Sequence, residues 1–130
     1  MGRVLVVDDQ PHVLRVMRLA LSRHGYAIET ALNGVEALEK YRADPYSVVI
    51  TDIDMPKMNG RELCYEILND ARSTGLAPPL IVVVSGRAEA ELTDWTQNER
   101  NVEFMSKPLS LSVVSSRLRE HFESNQESAA

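Results

Sequence analysis

Five polar side chains mark the ends of short strand-like runs: Asp8 and Asp9 end the run that begins at 4, Asp52 the run that begins at 48 and Ser85 the run that begins at 80, while Lys107 follows the run 102–105. If these runs are strands of one sheet, the five converge beyond the strands' carboxyl ends, where open α/β sheets bind ligands. Three carboxylates crowded together raise one another's pKa unless a cation compensates. A hard divalent ion answers that need. Magnesium suits carboxylate oxygens, a backbone carbonyl and waters, and shares its shell with phosphate. Lys107 adds a second positive charge on the far side of an incoming anion, and the Ser85 hydroxyl can donate to one of its oxygens. An aspartate in such a place can itself be the nucleophile, giving an acyl phosphate. Taken singly, each residue has a plainer use, since a strand-end aspartate commonly caps a helix or solvates a turn. Their joint placement carries the reading.

The elements that must position them are legible as pattern. The runs 4–7, 48–51 and 80–84 are apolar throughout instead of alternating, as expected for central parallel strands covered on both faces. Weaker strands are expected at 27–31 and 102–105. Helical spacing follows each strand: Leu14, Met17 and Leu21; then Val35, Leu38 and Tyr41; then Leu63, Ile67 and Leu68; a polar segment at 88–97; and Leu111, Val114 and Leu118. Gly25 and Pro45 close the first two of these segments. Strict alternation, (βα) five times over, predicts an α/β fold with an open, doubly wound, five-stranded parallel sheet. The stretch 123–130 is small, polar and without period, so the domain is expected over 1–122, with a flexible tail or the start of a linker beyond it.

The 130 residues match one domain. Hydrophobic residues at 44% and charged residues at 25% argue for an autonomously folding globular chain. The net charge of −5, with no basic block, argues against direct nucleic-acid binding. Cys64 is the single cysteine, which excludes an intramolecular disulfide and a multi-cysteine zinc site and suits a reducing, cytoplasmic setting. No apolar stretch approaches the roughly 20 residues of a membrane span. The amino terminus lacks the apolar core of a secretory signal, and Val6 stands where a myristoylation motif needs Ser or Thr.

Five blocks, in order, are more specific than any of these features: Val6-Val7-Asp8-Asp9, Asn33-Gly34-Val35-Glu36-Ala37-Leu38, the stretch from Asp52-Ile53-Asp54-Met55-Pro56 to Asn59-Gly60, Val84-Ser85, and Ser106-Lys107-Pro108. Over nearly its whole length the chain resembles the receiver domain of bacterial response regulators, the CheY-like superfamily of two-component signalling. The resemblance implies the flavodoxin-like strand order 2-1-3-4-5. It implies that Asp52 accepts a phosphoryl group from a histidine kinase or phosphotransfer protein. It gives Asp9 and the backbone carbonyl of Asp54 as direct Mg2+ ligands, Asp8 as a ligand through water, and Lys107 as the phosphoryl clamp. Ser85 becomes the hydroxyl that moves toward the phosphate, and Phe104 the aromatic switch coupled to it, although by its type alone Phe104 reads as core. Pro108 matches a proline that often follows a cis bond. The output face implied is that of the fourth helix, fifth strand and fifth helix, with phosphorylation-dependent dimerisation open. Phosphorylation adds about −1.5 to −2 charge beside a cation and a lysine, enough to draw Ser85 and Lys107 inward.

The chain also departs from that family. Where a Gly-Ala pair is common shortly before the fifth strand, the stretch here runs from Trp95 through Asn101, and Ser85 replaces the usual threonine, keeping the hydroxyl but losing the methyl. Asp54 and Arg87 are expected to tune water access to the phosphate, and Trp95 to cover a sheet edge. His12, His24 and His121 are read as solvated helical residues, with donor docking along His12–Arg15. Two alternatives stand beside this reading. Asp52-Ile53-Asp54 also resembles the nucleophile motif of haloacid-dehalogenase-type phosphatases, but no aspartate follows Lys107 to complete their metal site. A pseudo-receiver that binds partners without phosphate would not need the full polar set.

Overall fold

The computed structural model describes residues 2–86 and 101–129, with side chains to residue 124. Five strands, β1 (Arg3–Val7), β2 (Ala27–Ala31), β3 (Val48–Asp52), β4 (Leu80–Ser85) and β5 (Val102–Ser106), form one parallel sheet. Their order is β2-β1-β3-β4-β5, as the resemblance implied. Four helices are described: α1 (Pro11–Ser22), α2 (Gly34–Ala43), α3 (Gly60–Thr74) and α4 (Leu111–Ala129). The helix expected at 88–97 lies outside the described residues, as do Arg87 and Trp95. Among the described residues no helix is long and apolar enough to cross a membrane.

The unbroken apolar runs are explained by two separate cores. Val4, Val6, Val48, Ile50, Val82 and Val84 point to one face, against Leu14, Met17 and Leu21 of α1 and Val114 and Leu118 of α4. Leu5, Val7, Val49, Ile81 and Val83 point to the other, against Ala37, Leu38 and Tyr41 of α2 and Leu63, Ile67 and Leu68 of α3. Each fully buried aliphatic side chain contributes about 1.5–3 kcal/mol. Burial on both faces removes the alternation seen in half-exposed strands. Edge strand β2 keeps it, with Ala27 and Glu29 exposed and Ile28 partly covered.

Local chemistry sets the helix starts. Asn59 and Glu62 form a reciprocal capping box on α3, and the Asn33 side chain accepts from the Glu36 amide at the head of α2. Pro11 opens α1, where a missing N–H costs nothing. Gly25 and Gly75 end α1 and α3 regions at positive φ of 88° and 74°.

Several expectations are corrected. Val35 is 39% exposed, leaving Ala37, Leu38 and Tyr41 to face the core. His24 lies in the turn after α1, not on a helix. His121 is half-buried, near the backbone of Ser47, so it is not a solvated histidine. The backbone from 123 to 129 continues α4, where a loose stretch was expected. An established helix gains one hydrogen bond per added residue and needs no apolar period to continue. Near this end the Phe122 ring closes over Gly2 and meets Tyr26 at 5.2 Å between centroids.

Candidate phosphoacceptor site

The sheet's two-residue period places the polar groups. Asp8 follows Val4 and Val6, and Asp52 follows Val48 and Ile50, so both carboxylates continue the rows that face α1 and α4. Ser85 follows Ile81 and Val83 on the opposite face, which it shares with Phe104, the register partner of Val83. Phe104 is partly buried against that core.

Asp8 and Asp52 are each 6% exposed, Ser85 is fully buried, and Asp9 stands in solvent. One carboxylate oxygen from each of Asp8, Asp9 and Asp52 lies within 4.8 Å of the others. Lys107 reaches over β4 to the cluster, its Nζ donating to Asp52 Oδ2 at 3.1 Å. The other Asp52 oxygen faces the Asp54 amide at 3.4 Å, and Asp8 Oδ1 accepts from the Gln10 amide at 2.9 Å. Backbone bonds fix the strand ends: Ile53 N donates to Val84 O at 3.1 Å, and Lys107 N to Ser85 O at 3.0 Å. The Lys107-Pro108 bond is cis.

The electrostatics follow from burial. Desolvation pushes the Asp8 carboxyl above its ordinary range, with the nearby Asp52 and Asp9 charges adding to it against the Gln10 amide and Lys107. Burial works against the Lys107 charge, yet its bond to Asp52 and the attraction of Asp52, Asp8 and Asp54 prevail and raise its pKa. The cluster thus carries more negative charge than one lysine neutralises, the condition under which a divalent cation binds carboxylates well. This donor set fits Mg2+.

The structure therefore brings together Asp8, Asp9, Asp52 and Lys107, and sets Ser85 beside them on the neighbouring strand end. Sequence pattern did not show the cavity of about 410 Å³ beside the acids, walled by Val6, Val13, Met17, Ile50, Val84 and Leu109. Its lining joins residues from β1, α1, β3 and β4 with the loops after β1 and β5, a convergence that no local signal announces.

The family model for the response regulator receiver domain matches residues 4–119. The chain belongs to this family. A receiver is a signalling domain. The chain is 33% identical over 117 residues to the response regulator MprA of Mycobacterium ulcerans, covering 90% of this chain and 48% of that protein. It spans about half the length of the curated relatives it matches. Among solved structures it resembles the response regulator TrrA from Thermotoga maritima in complex with Mg2+-BeF, at 29% identity and a TM-score of 0.76, covering 93% of this receiver and 99% of that chain. A receiver domain from Clostridium thermocellum, 22% identical, shares the fold at a TM-score of 0.83 over 97% of this chain and 98% of its own.

Proposed function

We propose that this receiver takes a phosphoryl group onto Asp52 from a phosphohistidine of a sensor kinase or phosphotransfer protein. An Asp52 carboxylate oxygen attacks phosphorus as the phosphorus–nitrogen bond breaks, and the bonding pair returns to the donor imidazole. The observation that carries the reading is the 3.1 Å contact of Lys107 Nζ with Asp52 inside the carboxylate cluster. Lys107 holds the nucleophile and then shares the charge that develops on the phosphoryl oxygens. Ser85 supplies the further hydroxyl, and Phe104, on the same face, is the group whose packing responds to it.

Asp8, Asp9, Asp52 and the Asp54 carbonyl would hold Mg2+, which neutralises charge between the carboxylates and the incoming group. The likeness to TrrA, solved with Mg2+-BeF, supports that assignment. We assign the receiver unit to residues 1–122 and place it in the cytoplasm. Its output is binding, through the face of β5 and α4, to an effector domain or protein or to a second copy. Its own chemistry is limited to phosphoryl transfer to itself and hydrolysis of the acyl phosphate.

Intact mass after incubation with acetyl phosphate and Mg2+ tests this. One phosphoryl adduct is expected, absent from Asp52→Asn and from the metal-free sample. An adduct that survives in Asp52→Asn would refute the assignment.

A further inference from the structure

A second recess lies on the side of α1 away from α4, between α1, β2 and the head of α2. It has a volume of about 340 Å³, and its lining includes Leu14, Arg15, Arg18, Leu32, Glu36 and Lys40. Its floor is apolar, and its rim sets Arg15, Arg18 and Lys40 against one carboxylate, Glu36. The stretch from Pro11 to Gly25 carries Arg15, Arg18 and Arg23 and no acid, in a chain whose net charge is −5. The strip is therefore set against the charge of the whole.

The cations differ in how they are engaged. Lys40 Nζ donates to Thr30 O at 2.6 Å and pairs with Glu36 at 3.5 Å, so it is held within the fold. Among the described residues Arg18 makes only a 3.5 Å contact, with Thr30 Oγ1. Among the described residues Arg15 has no hydrogen-bond or ion-pair partner. Two guanidinium groups, three residues apart on one helix, thus point the same way with donors to spare. Large apolar side chains flank them: Leu19 is 59% exposed and Leu32 44%. Paired guanidiniums alone would suit any anion. Combined with an apolar floor and exposed leucines, they match a ligand with carboxylates and aliphatic side chains on one face.

We propose that the α1–β2–α2 recess docks an acidic amphipathic helix of a protein partner, with carboxylates on Arg15 and Arg18 and aliphatic side chains on Leu19 and Leu32. This docking needs neither a phosphoryl group on Asp52 nor a bound metal, so it stands or falls separately from phosphoryl transfer.

The test uses a fluorescein-labelled helical peptide with Leu at i and i+4 and Glu on the flanking positions, and a control with each Glu replaced by Gln. By fluorescence anisotropy the acidic peptide is expected to bind the whole chain with a Kd of roughly 10–100 μM. Arg15→Glu with Arg18→Glu should weaken it at least about tenfold, whereas Arg119→Glu on α4 should change it less than about twofold. Amide shifts on binding should centre on Thr30 and Leu32. Circular dichroism confirms folding of the variants, whose changed side chains are exposed. Equal binding of the Gln peptide, no loss in the double variant, shifts centred elsewhere, or displacement by inorganic phosphate that itself binds as tightly would each overturn the proposal.

Discussion

Gly60 packs so closely on Asp52 that a Cβ there would run into the Asp52 carbonyl oxygen and lie 2.9 Å from the Ile53 Cα. The head of α3 therefore rests directly on the backbone that carries the proposed nucleophile. Gly60 N also donates to Ile53 O at 3.0 Å.

Gly60→Ala should accordingly destabilise the protein, although alanine is the better helix former. The obstructing atoms are backbone and cannot rotate away, so overpacking prevails at about 1–3 kcal/mol. A Tm lower by roughly 3–12 °C is expected in a thermal scan. An unchanged or higher Tm would mean that the loop after β3 yields more readily than its bonds suggest.

Mg2+ should stabilise the folded chain, because it binds a carboxylate cluster that the unfolded chain does not assemble. At a concentration about a hundred times its Kd, the gain is about 2.7 kcal/mol. Asp9→Asn leaves the buried pair in place but should weaken the ion's affinity at least about tenfold. Tm measured along a Mg2+ titration checks both, and a flat titration of the parent chain would count against the metal assignment.

His121 should impose a pH dependence at the opposite end of the sheet. Burial and the Arg117 charge lower its pKa below the ordinary 6.5, outweighing Glu103 and the Ser47 backbone. The unfolded chain then takes up the proton first. The stabilisation is complete above pH 6.5 and is lost as the pH falls from 6.5 through the lower native value. His121→Gln should shrink the Tm difference between about pH 7.5 and about pH 5.5, and an unaltered difference would assign it to other groups.

Glu103 on β5 receives Arg117 of α4 through Nε at 2.7 and 3.0 Å, with a further short contact from Nη2. The two side chains are partly exposed, so solvent screens the pair and a coupling of about 1 kcal/mol is expected. A double-mutant cycle with Glu103→Gln and Arg117→Met measures it. A coupling near zero would show that apolar packing alone joins α4 to β5.

The three central strands were readable because burial on both faces leaves an uninterrupted apolar run. The polar residues that end two of them, Asp52 on β3 and Ser85 on β4, were legible as well, because each directly follows its run and keeps its place in the ladder. The acids and Lys107 were recognisable as a set, because each stands at or just beyond a strand end, and strand ends converge by topology. His121 could not be read in this way. Its environment comes from Ser47 and Arg117, and the residue before β3 is remote from α4 in sequence. The same holds for Phe122 over Gly2, which joins the two ends of the described chain and leaves no periodic trace.

The register of the sheet has a further consequence for the site. Asp52 is level with Val84, and Ser85 with Ser106, so the proposed nucleophile and the Ser85 hydroxyl stand one rung apart on adjacent strands. Neighbouring strands keep about 4.8 Å between them whatever side chains they carry. The sheet thus acts as a ruler: substitutions can change which group stands on a rung, but the interval itself is written in the backbone.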